Sequence, residues 1–195
     1  MKLKKKLAGV MAFALTAANL PGALLAAPGT VEAAGSASMP AAKYEMSLDG
    51  NLEVTGETGA SAMLVSAGRV ASEAEGTFAD GYKDKAFDGG GELGIELADI
   101  AVDETYTVSV WANLPAAVST NCPILFIVNP DNGGNWLGMA GFDGENCQLW
   151  YQDNNTNVSI GKASYEFSEW VNYTLSVDGT TAVLYKNGEK LISGT

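Results

Sequence analysis

The stretch Trp170 to Ile192, WVNYTLSVDGTTAVLYKNGEKLI, decides the fold. Val171, Tyr173, Leu175 and Val177 alternate with Asn172, Thr174 and Ser176. That period of two gives a β-strand one face for a core and one for water. Asp178-Gly179 breaks the run, Ala182 to Tyr185 resumes it, and Asn187-Gly188 breaks it again. Asn and Gly tolerate the positive φ of a tight turn, so Asn-Gly between such runs is the strongest short hairpin signal. The stretch therefore predicts a strand over 171–177, a turn at 178–179, a strand over 182–185 and a second turn at 187–188.

The same period extends upstream. Tyr106, Val108, Val110, Ala112 and Leu114 share one face of a strand, and Thr107, Ser109, Trp111 and Asn113 share the other. Ile124 to Val128 is an apolar run suited to a strand covered on both sides. Trp136 to Phe142 and Cys147 to Gln152 flank Asp143-Gly144-Glu145-Asn146, a hairpin pattern with a Gly-containing turn. Ser61 to Glu75 is rich in Ala and Glu, but Gly68 interrupts it and its apolar residues hold no 3.6-residue period, so it reads as an insertion or irregular strand. Many short strands with turn signals about every ten residues predict an all-β, antiparallel two-sheet sandwich. Tyr106, Val108, Val110, Val171, Tyr173, Leu175 and Val177 are its expected core.

Composition narrows the chemistry. The 195 residues include 11 Lys plus Arg, 23 Asp plus Glu, two Cys and no His, for a net charge of −12. Without histidine there is no Ser-His-Asp or Cys-His relay and no imidazole metal ligand, so catalysis would have to rest on carboxylates. A hydrophobic fraction of 47% against 17% charged residues is that of a packed domain, not a disordered chain. The acidic balance makes nucleic acid and anionic membrane poor partners.

Lys2, Lys4, Lys5 and Lys6 precede an apolar run from Leu7 to Ala18, and Val31-Glu32-Ala33 offers a small-x-small cleavage site. Residues 1–33 thus read as a secretory signal peptide, 34–42 as an Ala/Ser-rich flexible leader, and 43–195 as one domain. The expectation is a secreted, extracellular protein with no membrane attachment after cleavage. Export makes a Cys122–Cys147 disulfide or two buried thiols the alternatives for the cysteines. A bridge closing about 25 residues would contribute about 3 kcal/mol in the chain-entropy model.

Several segments, in order, match one family. Gly81-Tyr82-Lys83-Asp84-Lys85-Ala86-Phe87-Asp88-Gly89 resembles the Gly-x-x-Gly-x-Ala-x-x-Phe-Asp-Gly segment of laminin-G-like domains in the concanavalin A-like lectin and glucanase superfamily. Tyr106 to Asn113 is similar to that family's Phe-Thr-x-Ser-x-Trp strand, and Trp170 to Gly188 to its Trp-to-Asp-Gly hairpin ending in Tyr-x-Asn-Gly. Leu48-Asp49-Gly50 fits the first strand. Asp84 departs from the pattern, standing where a second glycine is usual, and one residue is missing before Phe87. The family normally continues past the Tyr-x-Asn-Gly turn to a Gly-x-Ile-Asp-Glu-Val segment, so the resemblance implies that the last strands are missing and a sandwich edge is open.

The resemblance implies a jelly-roll sandwich that binds carbohydrate, sometimes with calcium, and that recurs as an appendage of secreted polysaccharide-degrading enzymes or as an adhesive module. Sugar recognition needs an aromatic face for the ring and amides or carboxylates for the hydroxyls. Residues 129–157 supply these most densely. Alternation puts Gln148, Trp150 and Gln152 on one strand face, with Trp136 opening the preceding strand and Asn154 in the following loop. These five are the candidate ligand-binding residues. Trp111 and Trp170 read as sheet packing. Asp131, Asn132 and Asp153 are candidate ligands for Ca2+, a hard cation that takes oxygen donors from loops.

The glucanase branch carries its two carboxylates as Glu-x-Asp-x-x-Glu, a string absent here, so this chain presents no catalytic constellation of that kind. The leading expectation is a secreted, non-catalytic carbohydrate-binding module next to a glycoside hydrolase domain beyond residue 195. The alternatives are a surface module binding protein and an enzyme in this domain.

Overall fold

The computed structural model describes residues 6–7, 10–12, 41–66, 70–72, 76–89, 93–101, 103–114, 122–128, 136–141, 146–153, 156–164 and 168–195. Among them there are eighteen β-strands and no helix. The first ten are β1 (Lys6–Leu7), β2 (Val10–Ala12), β3 (Tyr44–Glu45), β4 (Thr55–Gly56), β5 (Ser61–Ser66), β6 (Val70–Ala71), β7 (Thr77–Asp80), β8 (Lys85–Asp88), β9 (Gly94–Ala98) and β10 (Ile100–Ala101). The rest are β11 (Thr105–Asn113), β12 (Cys122–Val128), β13 (Trp136–Gly141), β14 (Asn146–Asp153), β15 (Thr156–Ser164), β16 (Trp170–Asp178), β17 (Thr181–Lys186) and β18 (Glu189–Gly194).

Two antiparallel sheets dominate. One has four strands in the order β11-β16-β17-β18, and the other has eight in the order β15-β14-β13-β12-β2-β9-β5-β6. Ribbons β1-β10, β3-β4 and β7-β8 complete the pairing. The alternation read from the sequence is the burial pattern observed: Val171, Tyr173, Leu175 and Val177 are buried, while Asn172, Thr174 and Ser176 between them are partly exposed. With Val110, Ala112, Ala182, Leu184 and Ile192 they form one apolar cluster with Ile95, Leu97, Leu125, Ile127, Met139, Cys147 and Leu149 of the larger sheet. Tyr106 and Val108 pack against its margin. Each such side chain contributes about 1.5–3 kcal/mol when fully removed from water, so this layer holds the two sheets together as a jelly-roll sandwich.

The turns follow their residues. Asn187 and Gly188 both take positive φ, 49° and 85°, as a two-residue hairpin between β17 and β18 requires. The Ala/Glu-rich stretch from Ser61 is strand, β5 pairing with β9 from Ser61↔Ala98 to Val65↔Gly94. The segment read as an export signal supplies β2, which pairs with β12 through Val10↔Ile127 and with β9 through Val10↔Leu97. It thus occupies the interval between two longer strands.

The register corrects one expectation. Cys122 on β12 and Cys147 on β14 both stand opposite Gly141 of β13, which runs between them. Two strand spacings separate their backbones by about 9.5 Å, beyond the roughly 7 Å that a disulfide spans. No Cys122–Cys147 bridge forms in this arrangement, and Cys147 is buried in the apolar core instead.

The sheets also approach each other where β15 meets β18. A β-carbon added at Gly161 would fall 2.7 Å from Ile192 Cγ2, and one at Gly194 would fall 2.8 Å from Ile160 Cγ2. Isoleucine is stiff at χ1 and yields little. Gly161→Ala is therefore expected to destabilise the protein by about 1–3 kcal/mol through overpacking, read as a lower urea midpoint; an unchanged midpoint would refute the close approach.

Burial alone pushes the Tyr106 phenol up to about 12. A raised phenol holds its proton more tightly in the folded state, so the stabilisation is complete below pH 10 and is lost as pH rises from 10 to 12, by about 2–3 kcal/mol. Chemical denaturation at pH 9 and pH 11.5 should show this loss in the parent chain and a smaller one in Tyr106→Phe.

Candidate functional site

Strands β13, β14 and β15 form a meander whose inward side chains, Met139, Cys147 and Leu149, are fully buried in the shared core. Their other positions form a patch with a fixed register. Trp136, Gly138 and Ala140 on β13 stand opposite Gln152, Trp150 and Gln148 on β14. Those three stand opposite Asn157, Ser159 and Lys162 on β15. A register shift between Leu149 and Trp150 makes Ile160 the extra residue of a β-bulge. The bulge puts Lys162 in the same row as Ser159 and Asn157, which unbroken alternation would separate.

The central strand carries the chemistry. Trp150 is partly exposed, and its neighbour Gly138 has no side chain to cover an indole. Gln152 Nε2 donates to Asn157 Oδ1 at 2.8 Å, a cross-strand bond that orients both amides. Gln148 is 6% exposed, the one buried polar residue among those described. Its Oε1 accepts no hydrogen bond from any described residue. A buried carbonyl oxygen left without a donor costs about 1–3 kcal/mol, so the fold keeps this amide against its own stability. A partly exposed indole flanked by the Gln152 and Asn157 amides can stack on a flat apolar face and hydrogen-bond the hydroxyls at its rim.

Four of the sequence-derived ligand candidates, Trp136, Gln148, Trp150 and Gln152, fall in this patch by register, while Asn154 lies outside the described residues. Asp153 ends β14, exposed and opposite Thr156; Asp131 and Asn132 lie outside the described residues. Among the described residues no three Asp, Glu or Cys side chains converge as a metal site. Asn157, Ser159 and Lys162 were not found by sequence reasoning. The Asn154-Asn155 pair in the sequence could have flagged β15 as the partner of β14, but the bulge at Ile160 leaves no sign in the pattern.

A family model described as Concanavalin A-like lectin/glucanases superfamily matches residues 87–195, more than half of the chain. Among curated proteins, none matches. One similar solved structure is domain 4 of AbnA, a GH43 extracellular arabinanase from Geobacillus stearothermophilus, in complex with arabinotriose. It superposes with a TM-score of 0.58 at 22% identity, and the match covers 69% of this chain and 65% of that one. The chain thus spans less than two thirds of that neighbour, and the likeness is one of fold.

Gln148 Oε1, buried without a donor among the described residues, makes a direct test. Gln148→Met keeps the length of the side chain and removes its polar atoms, so it should leave stability unchanged or raise it by about 1 kcal/mol. A fall in the urea midpoint equivalent to more than about 1 kcal/mol would mean that Gln148 serves the fold.

Proposed function

We propose that this chain, which belongs to the concanavalin A-like lectin/glucanase superfamily, is a secreted, non-catalytic module that holds an oligosaccharide on the β13–β14–β15 face. The observation that carries the reading is the partly exposed Trp150 set by register beside Gln152 and Asn157, whose amides are already joined by a 2.8 Å hydrogen bond. The apolar side of a sugar ring stacks on Trp150. Ring hydroxyls bond to the amides of Gln152 and Asn157, and the Lys162 ammonium donates to another hydroxyl oxygen. None of these contacts needs the protein to reorder, because the strands fix the rows and the Gln152–Asn157 bond fixes the amides.

The neighbour's complex with arabinotriose makes short arabino-oligosaccharides the first ligands to test. The Lys-rich amino terminus with its apolar run supports export, and the fold's occurrence in a domain of an extracellular arabinanase supports a role beside a polysaccharide-degrading enzyme. A neutral glycan also suits a chain of net charge −12, which would repel acidic polymers.

Calorimetric titration of the protein with arabinotriose and with arabinan tests the reading. Trp150→Ala should weaken binding tenfold to a hundredfold, about 1.4–2.8 kcal/mol. Binding that is indifferent to Trp150→Ala would remove this face from the function, and a requirement for a protein ligand instead would favour the adhesive alternative.

A further inference from the structure

The geometry points to a second glycan-binding plate on the outer face of the four-stranded sheet, made by Tyr82 lying on Trp111. The two rings stack with centroids 3.7 Å apart and planes 11° from parallel. Trp111, beneath, is 9% exposed, whereas Tyr82 is 43% exposed and is one of two large hydrophobic side chains left open among the described residues. The phenol ring therefore presents its far face to water while its near face is fixed.

The plate is held rigidly. Tyr82 sits in the turn between β7 and β8, closed by Gly81 N–H donating to Asp84 O at 3.0 Å. A β-carbon at Gly81 would fall 2.6 Å from Lys85 O, so no other residue fits that turn without moving the backbone. The hairpin below is anchored by buried Phe87, edge-on to Phe78 at 6.1 Å, and by Thr77 Oγ1 donating to Asp88 O at 2.9 Å.

Beside the plate runs an uncharged polar row. Trp111 stands opposite Asn172, and Ser109 opposite Thr174. Asn172 Nδ2 donates to Ser109 Oγ at 2.9 Å, and Thr174 Oγ1 donates to Asn172 Oδ1 at 2.9 Å, which sets these groups before any ligand arrives. Tyr185, opposite Thr174 on β17, adds an aromatic edge. From Trp111 to Tyr185 the row carries no ionised group, and Lys190 of β18, opposite Tyr185, ends it. A stacked ring beside uncharged amide and hydroxyl groups suits a neutral polyhydroxy chain, with a ring on Tyr82 and its hydroxyls on the Asn172–Ser109–Thr174 row, and the chain's net charge of −12 disfavours a nucleic acid or an anionic surface. The plate is independent of the Trp150 face, since the two lie on the outer sides of different sheets. With both, one module bridges two glycan chains.

Titration of the full chain with arabinotriose, xylotriose and cellotriose, following the indole N–H resonances of Trp111 and Trp150 assigned by Trp→Phe variants, tests this. At least one trisaccharide should shift Trp111. Tyr82→Ala should weaken that response at least tenfold and leave the Trp150 response in place, while Tyr82→Trp, which keeps a stacking ring, should retain it. A Trp111 signal that no trisaccharide moves, or that moves equally in Tyr82→Ala, overturns the plate. A response at Trp150 alone sinks the plate and keeps the first site; a response at Trp111 alone does the reverse.

Discussion

A single apolar layer shared by two sheets is the constraint from which the rest follows. Tyr173, Leu175, Leu184, Met139, Cys147 and Leu149 are fully buried in it, and each sits on a strand whose neighbouring positions must then face outward. Period-two geometry leaves no freedom here: once the inner face is set, the outer face is set residue by residue. The outer faces have no packing role to fulfil by default, so the side chains there are free to answer to solvent or to a ligand.

That constraint explains what could be read from the sequence. The Trp170–Ile192 stretch was legible because burial pattern and turn chemistry agree: alternating Val171 to Val177 gives a half-buried strand, and Asn187-Gly188 supplies the two positive-φ residues that its hairpin needs. Gln148, Trp150 and Gln152 were placed on one face by the same rule. Legibility ends where the rule is interrupted. The bulge at Ile160 flips the parity of β15, so the row Asn157, Ser159 and Lys162 cannot be derived from alternation alone. The Cys122–Cys147 bridge failed for a related reason. Sequence separation says nothing about lateral order, and the strand between them, with Gly141 at the crossing point, settles the distance.

Contacts between distant elements were the other gap. Trp111 on the polar side of β11 reads from the sequence as sheet packing, and it is 9% exposed, with a tyrosine from the β7–β8 turn, 29 positions earlier in the chain, stacked on it. The family-like segment around Gly81 has Asp84 at the usual glycine position, and its turn closes on Asp84 O, a geometry that fixes where Tyr82 goes. Nothing in the local sequence says that this turn overhangs β11. The short strand β2 between β9 and β12 belongs to the same class, since a leader read for its apolar run carries no signal of the partners it takes.

The residues that break local rules are therefore the informative ones. Across most of the described chain, apolar side chains are buried and polar ones exposed, as folding alone would select. Gln148 and Tyr82 invert that rule in opposite directions, one a polar group held out of water without a described partner, the other an aromatic ring held in water on a rigid turn. Each inversion carries a cost that packing does not return: desolvation of an amide in one case, hydration of an apolar ring face in the other. A sugar ring would offset the second, since it brings C–H surface to an open ring face. That the open Tyr82 ring and the amide-flanked Trp150, on different sheets, call for the same kind of molecule is the physical reason for reading this sandwich as a glycan-holding module.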